Sequence, residues 1–208
     1  MSEIKVTYYG HSCFKVEAEG YSIIFDPYED GYVPGLKPLR VQANEVLCSH
    51  SHADHDFREG VEIIPGGNKP FTLETIICPH DDDYGSLRGM NIIHVLHFKN
   101  QKIAHMGDVG DMLPEEDIEK LRGADILMIP VGGYYTIDAA AANKLVRAIK
   151  PRVTIPMHFR TDTSGFQVLA RCDDFIALCD NVEKHGFTFT VDDHTPERTI
   201  LMAQKNAN

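Results

Sequence analysis

Residues His50-Ser51-His52-Ala53-Asp54-His55 set ligand-type side chains at four of six positions, directly after the short apolar run Glu45–Cys48. In extended chain, side chains two residues apart share a side, so His50 and His52 point together. Ser51 and Ala53 are small enough for a tight turn, beyond which Asp54 and His55 fan out and can reach a second ion. Imidazole suits zinc, iron and manganese, while a carboxylate adds charge and can also handle protons. A surface loop holds one histidine by coincidence. Three histidines and an aspartate at this spacing behind a buried strand read as a metal site.

Around this cluster the first half of the chain is β in character. Ile4–Tyr8, Cys13–Glu17 and Tyr21–Phe25 are short β-branched or aromatic runs, and Asp26-Pro27 stops the third. Residues Tyr28 to Gln42 form a Gly- and Pro-punctuated loop long enough to serve as a lid or binding loop. Val61–Ile64 and Thr72–Cys78 read as strands, and Ile92–Phe98 with Lys102–Met106 as a hairpin. The second half alternates. Helices are predicted over Pro114–Leu121, over Ala139–Ile149 with Asp138 as cap, and over Asp173–His185. Strands are predicted at Asp125–Val131, Val153–Pro156, Phe187–Val191 and Thr199–Ala203. No repeat or linker divides the chain, so residues 1–208 read as one domain, with two sheets packed together and helices outside.

Composition narrows the function. Lys+Arg 20 against Asp+Glu 31 gives a net charge of −11, a poor basis for counterion release on nucleic acid or on an anionic membrane. No stretch approaches the ~20 apolar residues of a membrane helix. The first residues lack a basic segment followed by an apolar one, so no signal peptide is expected. Cys13, Cys48, Cys78, Cys172 and Cys179 form no C-x-x-C pair and read as reduced, buried thiols of a cytoplasmic protein. The oligomeric state stays open, a homo-oligomer included.

With H-x-H-x-D-H in place, the sequence resembles the metallo-β-lactamase superfamily. The resemblance implies three further single ligands at strand ends, and matches follow in order: Cys78-Pro79-His80, Gly107-Asp108 and Pro156-Met157-His158. It implies an α+β fold, a four-layer αβ/βα sandwich of two mixed β-sheets with outer helices. It also implies two divalent metal ions, zinc first, with manganese or iron as alternatives. His50, His52 and His80 would hold one ion, Asp54, His55 and His158 the other, and Asp108 would bridge them. Gly10-His11-Ser12, the strand ending at Asp26-Pro27, and Pro130 to Thr136 resemble the branch of small cytosolic hydrolases similar to L-ascorbate-6-phosphate lactonase. Two departures stand out: Val109 where that branch usually has Thr, and the acidic run Asp81-Asp82-Asp83 beside a site expected to bind anions.

Other polar residues take supporting roles. His11 is expected to line the site and orient substrate or water, and Asp26 to hydrogen-bond the histidine loop from behind. Tyr134, Tyr135 and Thr136 are candidates to offer a hydroxyl to the substrate. His94, His97, His105, His185 and His194 read as structural, with His185 in the last turn of a helix. The implied activity is hydrolysis of a lactone, ester or related small-molecule bond by a hydroxide activated between two metals. Asp54 is a candidate proton carrier and Asp108 the bridge. A metal-dependent phosphodiesterase is the alternative, because the same geometry clamps a phosphoryl group. A non-catalytic metal-binding or redox module ranks lower, since the superfamily's di-iron flavoproteins usually carry Glu where His52 stands. A thioesterase fits poorly with Asp56 to Gly60 after the cluster.

Overall fold

Alternation with period two builds the first sheet. In β1 (Ile4–Gly10), Ile4, Val6 and Tyr8 join the main core, while Tyr9 turns to the opposite face. β2 (Cys13–Ala18) and β3 (Tyr21–Phe25) repeat the pattern: Phe14, Val16, Ile23 and Phe25 go inward, and Cys13 and Ile24 go outward. The computed structural model describes residues 3–207. β4 (Val41–Ala43) and β5 (Glu45–Leu47) follow, then β6 (Val61–Ile63), β7 (Thr72–Pro79), β8 (Met90–His97) and β9 (Lys102–His105). Next come α1 (Glu115–Leu121), β10 (Ile126–Pro130), α2 (Ala139–Ile149) and β11 (Val153–Met157). The described chain ends with α3 (Asp173–Ile176), β12 (Val182–His185), β13 (Thr188–Val191) and β14 (Arg198–Met202).

One sheet has the order β13-β1-β2-β3-β5 and the other β12-β14-β11-β10-β9-β8-β7, while β4 and β6 pair as a separate ribbon. Both sheets are mixed: β3 runs parallel to β5, and β9, β10, β11, β14 and β12 run parallel in turn. The architecture is the α+β sandwich of the metallo-β-lactamase fold. β10 and β11 are buried along their whole length. Such continuous burial needs cover on both faces. The first sheet covers one, and α2 covers the other through Ala142, Leu145 and Ile149. On the outer face of the first sheet, Tyr28, Val33, Leu36 and Leu39 of the long loop pack on Tyr9, Cys13 and Ile24.

Local signals set α2 as read: the Asp138 carboxylate accepts the Ala141 N–H at 2.8 Å, and Lys150 closes the helix in left-handed conformation. The helix expected over 173–185 is a correction. Only Asp173–Ile176 is helical; Asn181 then turns left-handed, and Val182–His185 pairs parallel with β14 as an edge strand. Pairing with a strand distant in sequence overrides the local helical spacing, so His185 lies beside Glu183 on a strand rather than in a helix turn. β6 falls on the strand read at Val61–Ile64, but its partner β4 is absent from the sequence reading, since three residues at the end of the long loop are too short to show a period. Among the described residues, no helix is long and apolar enough to cross a membrane.

Strand direction gathers the polar residues. β1, β3 and β5 point one way in the first sheet, and β7, β9, β10 and β11 share a direction in the second. His11, Asp26, the 50–55 cluster, His80, Asp108, Tyr135 and His158 all follow the C-terminal ends of these strands. His11, Asp26, Tyr134 and His158 adopt left-handed φ of 56°, 44°, 60° and 54°. Non-glycine residues reach that region at a cost, and such strain concentrates at functional sites.

Candidate metal centre

Parallel pairing of β3 with β5 sets Phe25 beside Leu47, so Asp26 arrives next to Ser49. One Asp26 oxygen accepts the Ser49 N–H at 2.7 Å; the other accepts the Ser49 hydroxyl at 2.7 Å and lies 2.8 Å from His55 Nδ1. Ser49 Oγ lies 2.8 Å from His50 Nδ1. A hydroxyl has one proton, and an ionised carboxylate only accepts. Ser49 therefore donates to Asp26 and accepts from His50 Nδ1. Both His50 and His55 then donate from Nδ1, which leaves Nε2 as the atom that can take a metal, and each Nε2 is buried without a hydrogen-bond partner. Two imidazole tautomers are thus fixed by one buried carboxylate, the usual arrangement behind metal-binding histidines.

The second sheet supplies the opposite side. Gly107 turns the chain after β9 at φ 54°, and a Cβ there would lie 2.2 Å from Asn91 Oδ1. That same amide oxygen accepts the Asp108 N–H at 2.8 Å, and Asn91 Nδ2 donates to the Met106 carbonyl at 2.9 Å. So clamped, Asp108 puts Oδ2 3.2 Å from His55 Nε2, 3.1 Å from His158 Nε2 and 3.5 Å from His80 Nε2. These approaches are close, yet His55 Nε2 and His158 Nε2 make no aligned hydrogen bond, and Asp108 Oδ1 is likewise buried and unpartnered. Buried polar atoms left so are rare in native proteins unless an ion or water completes them.

Ligand atoms converge in overlapping groups. His50, His52 and His80 lie within 4.8 Å of one another; so do His11, Asp54, His55 and His158, and so do His50, His55 and Asp108. The sets are the nitrogen and oxygen donors that divalent transition metals take, and the orphaned buried nitrogens show that they fit such ions. Protonation agrees. Burial holds His50 down to about 3, with His55 adding to the effect. Burial would raise the Asp108 carboxyl, but His158 and His55 outweigh it and hold it well below the usual range. Asp26 behaves alike, with His105 and His55 outweighing burial. At His55, burial pulls down but Asp108 and Asp26 outweigh it and raise the group. Neutral imidazoles beside ionised carboxylates are what a cation needs; at His55 the cation would displace the proton held between the two carboxylates.

His11 lies inside this centre, fully buried, with Nε2 3.0 Å from Asp54 Oδ2 and its ring 4.1 Å from that of His158. Burial and His158 hold it down to about 4 despite Asp54. The His158 N–H also donates to the His11 carbonyl at 2.9 Å, joining the two sheets at the site. A cavity of about 240 Å³ opens above: His52, Asp54, His80 and Asp108 form its floor, and Tyr32, Arg88, Tyr135 and Phe166 its walls. Of the three hydroxyl candidates, Tyr135 alone lines this cavity. Tyr134 is 64% exposed in an adjoining chamber, and the Thr136 hydroxyl donates to the Ile137 carbonyl at 3.1 Å. His105 is structural: its Nε2 lies 2.9 Å from the Ser12 carbonyl, and its ring stacks on Phe25 at 4.8 Å.

Ser49, Asn91, Arg88 and Phe166 escaped the sequence reading. Asn91 left a faint signal, an amide heading the apolar run Ile92–Leu96. Ser49 stood beside the cluster without a motif of its own. Nothing local marks Arg88 or Phe166.

A metallo-β-lactamase sandwich carrying a His/Asp donor centre at one rim defines a metal-dependent hydrolase. The family described as the Beta-lactamase superfamily domain matches residues 5–158, and the chain belongs to it. A metal-dependent hydrolase of Thermoplasma acidophilum is 27% identical, over 88% of this chain and 98% of its own. One from Carboxydothermus hydrogenoformans is 28% identical, over 76% and 85%. A Thermotoga maritima structure classed with the Zn-dependent hydrolases of the superfamily superposes with TM-score 0.75 at 29% identity, covering 96% of this chain and 98% of that one.

Proposed function

We propose that the protein hydrolyses a lactone, ester or related bond in a small molecule, using two divalent cations. His50, His52 and His80 would hold one, Asp54, His55 and His158 the other, with Asp108 shared between them. The position of the Asp108 carboxylate among the facing imidazoles carries this reading. Zinc is the first candidate, and manganese and iron suit the same donors. Bound there, such ions supply Lewis acidity and bring the pKa of water near neutrality. The chain's own residues do the rest. Asp26 and Ser49 hold the His50 and His55 tautomers. His11 orients Asp54, whose carboxylate faces the cavity and can hold or move a proton at Oδ2. Tyr32, Tyr135 and Phe166 wall the cavity and limit its water.

The cavity's size and the −11 charge support a small-molecule substrate rather than nucleic acid. Five free cysteines support a reducing, cytoplasmic setting. The test is a screen of metal-reconstituted protein against lactones, carboxyl esters, thioesters and phosphodiesters, side by side with Asp108→Ala. Lactone or ester turnover that vanishes in the variant is expected. Turnover of phosphodiesters alone would replace the bond assignment, and wild-type turnover by the variant at normal metal content would sink the shared-carboxylate mechanism.

A further inference from the structure

Asp81, the first of the acidic run after His80, does not face the site as free charge. Asp81 is buried, and its carboxylate accepts four backbone N–H groups: Asp83 at 2.9 Å, Gly85 at 2.8 Å, Leu87 at 3.0 Å and Arg88 at 2.8 Å. It winds residues 81–88 into a fixed loop. The next residue, Gly89, accepts the His80 N–H through its carbonyl at 3.0 Å and so ties the loop back to a ligand residue. Arg88 is thereby held beside the metal centre, half-buried, its guanidinium 5.5 Å from the Tyr135 ring centroid.

Several other arginines meet carboxylates, as Arg40 does with Asp30, Arg58 with Asp56 and Arg152 with Asp125. Arg88 makes no ion pair among the described residues, and it is the one Lys or Arg on the cavity wall. A stacked guanidinium presents a planar fork of donors that matches an oxyanion in two parallel hydrogen bonds. Half-buried and without an ion pair, it keeps its charge free for a ligand that enters the cavity. The identity of the anion follows from charge. Asp82, Asp111 and Asp138 line the chamber on the other side of Arg88 and Tyr135. Their negative charge opposes a phosphate dianion more strongly than a carboxylate monoanion.

We propose that Arg88, positioned on the Tyr135 ring, is the specificity residue of this enzyme and binds a carboxylate carried by the substrate beside the bond to be cleaved. The substrates are then small carboxylic acids bearing a lactone or ester, a reading that rests on the hydrolysis proposed above.

The test pairs the para-nitrophenyl monoester of glutaric acid with para-nitrophenyl butyrate, on zinc-reconstituted wild type, Arg88→Lys and Arg88→Ala. Wild type should favour the charged ester in kcat/KM by about tenfold to a hundredfold, the worth of a charge-assisted hydrogen bond. Arg88→Ala should lose that preference through KM, and Arg88→Lys should recover part of it. Calorimetric titration with glutarate needs no turnover, and Kd should rise about tenfold or more in Arg88→Ala. Equal glutarate affinity in wild type and Arg88→Ala overturns the proposal. Inorganic phosphate binding more tightly than glutarate, in an Arg88-dependent way, overturns the carboxylate in favour of a phosphate substrate. Arg88-dependent glutarate binding with neither ester cleaved would leave the carboxylate site standing and count against the ester reading alone.

Discussion

The floor and the walls of the cavity are built by different rules. On the floor, Asp26 is fully buried and each of its oxygens is committed, while Asn91 accepts the Asp108 N–H and donates to the Met106 carbonyl just before it. The side chains of the walls meet by ring contacts instead: Tyr32 to Phe166 at 5.9 Å, Tyr135 to Phe166 at 6.1 Å, and Arg88 over Tyr135 at 5.5 Å. Hydrogen bonds are directional and fix single atoms. Ring contacts tolerate sliding. The floor therefore determines which chemistry is available, and the walls determine what is admitted to it.

Substitutions should separate the two. The largest effect is expected from Asp108→Ala, with loss of turnover by about a thousandfold or more and reduced metal content, read by elemental analysis beside kinetics. Asp26→Asn keeps the shape but loses the charge behind His50 and His55. It should cost about ten- to a hundredfold in metal affinity, measured by chelator competition; unchanged affinity would show that the floor does not depend on this carboxylate. On the wall, Phe166→Ala should raise KM by about tenfold or less and leave metal affinity near wild type. A large metal loss there would erase the distinction between floor and wall.

The smallest effect tests burial away from the centre. His94 is buried behind Phe25, and burial holds its pKa down to about 4. The unfolded chain takes up a proton near pH 6.5 that the folded chain refuses, so stability is fully present above that pH and declines as pH falls towards about 4. The slope from this one group is at most about 1.4 kcal/mol per pH unit. Urea unfolding from pH 7 downward should be flatter in His94→Gln by that amount, and identical slopes would refute it.

The sequence displays the floor because the candidate metal donors are uncommon residue types in a telling order, each just past a strand. His50 to His55, His80, Asp108 and His158 could be named before any coordinates. The walls are assembled from Tyr32, Arg88, Tyr135 and Phe166, which lie far apart in the chain, and the common types among them carry no spacing rule. Asp81 shows the same limit in reverse. In sequence it is a negative charge next to a ligand, whereas in the fold its charge is absorbed by backbone amides and delivers a cation. The 173–185 segment was misread for a related reason: an amphipathic spacing does not disclose that β14 offers an edge to pair with.

His50 to His55 hang from one sheet, and His80, Asp108 and His158 from the other. An ion shared among them would therefore be a rivet through two plates that otherwise meet by apolar packing and a few hydrogen bonds, such as that from the His158 N–H to the His11 carbonyl. Because the unfolded chain offers no such grip, the free energy of metal capture is lent to the docking of the sheets. It reaches about 4 kcal/mol when free metal exceeds Kd a thousandfold. Starved of metal, the protein should come apart first along that seam, so the cell's metal supply would set how long the protein lasts as well as how fast it works.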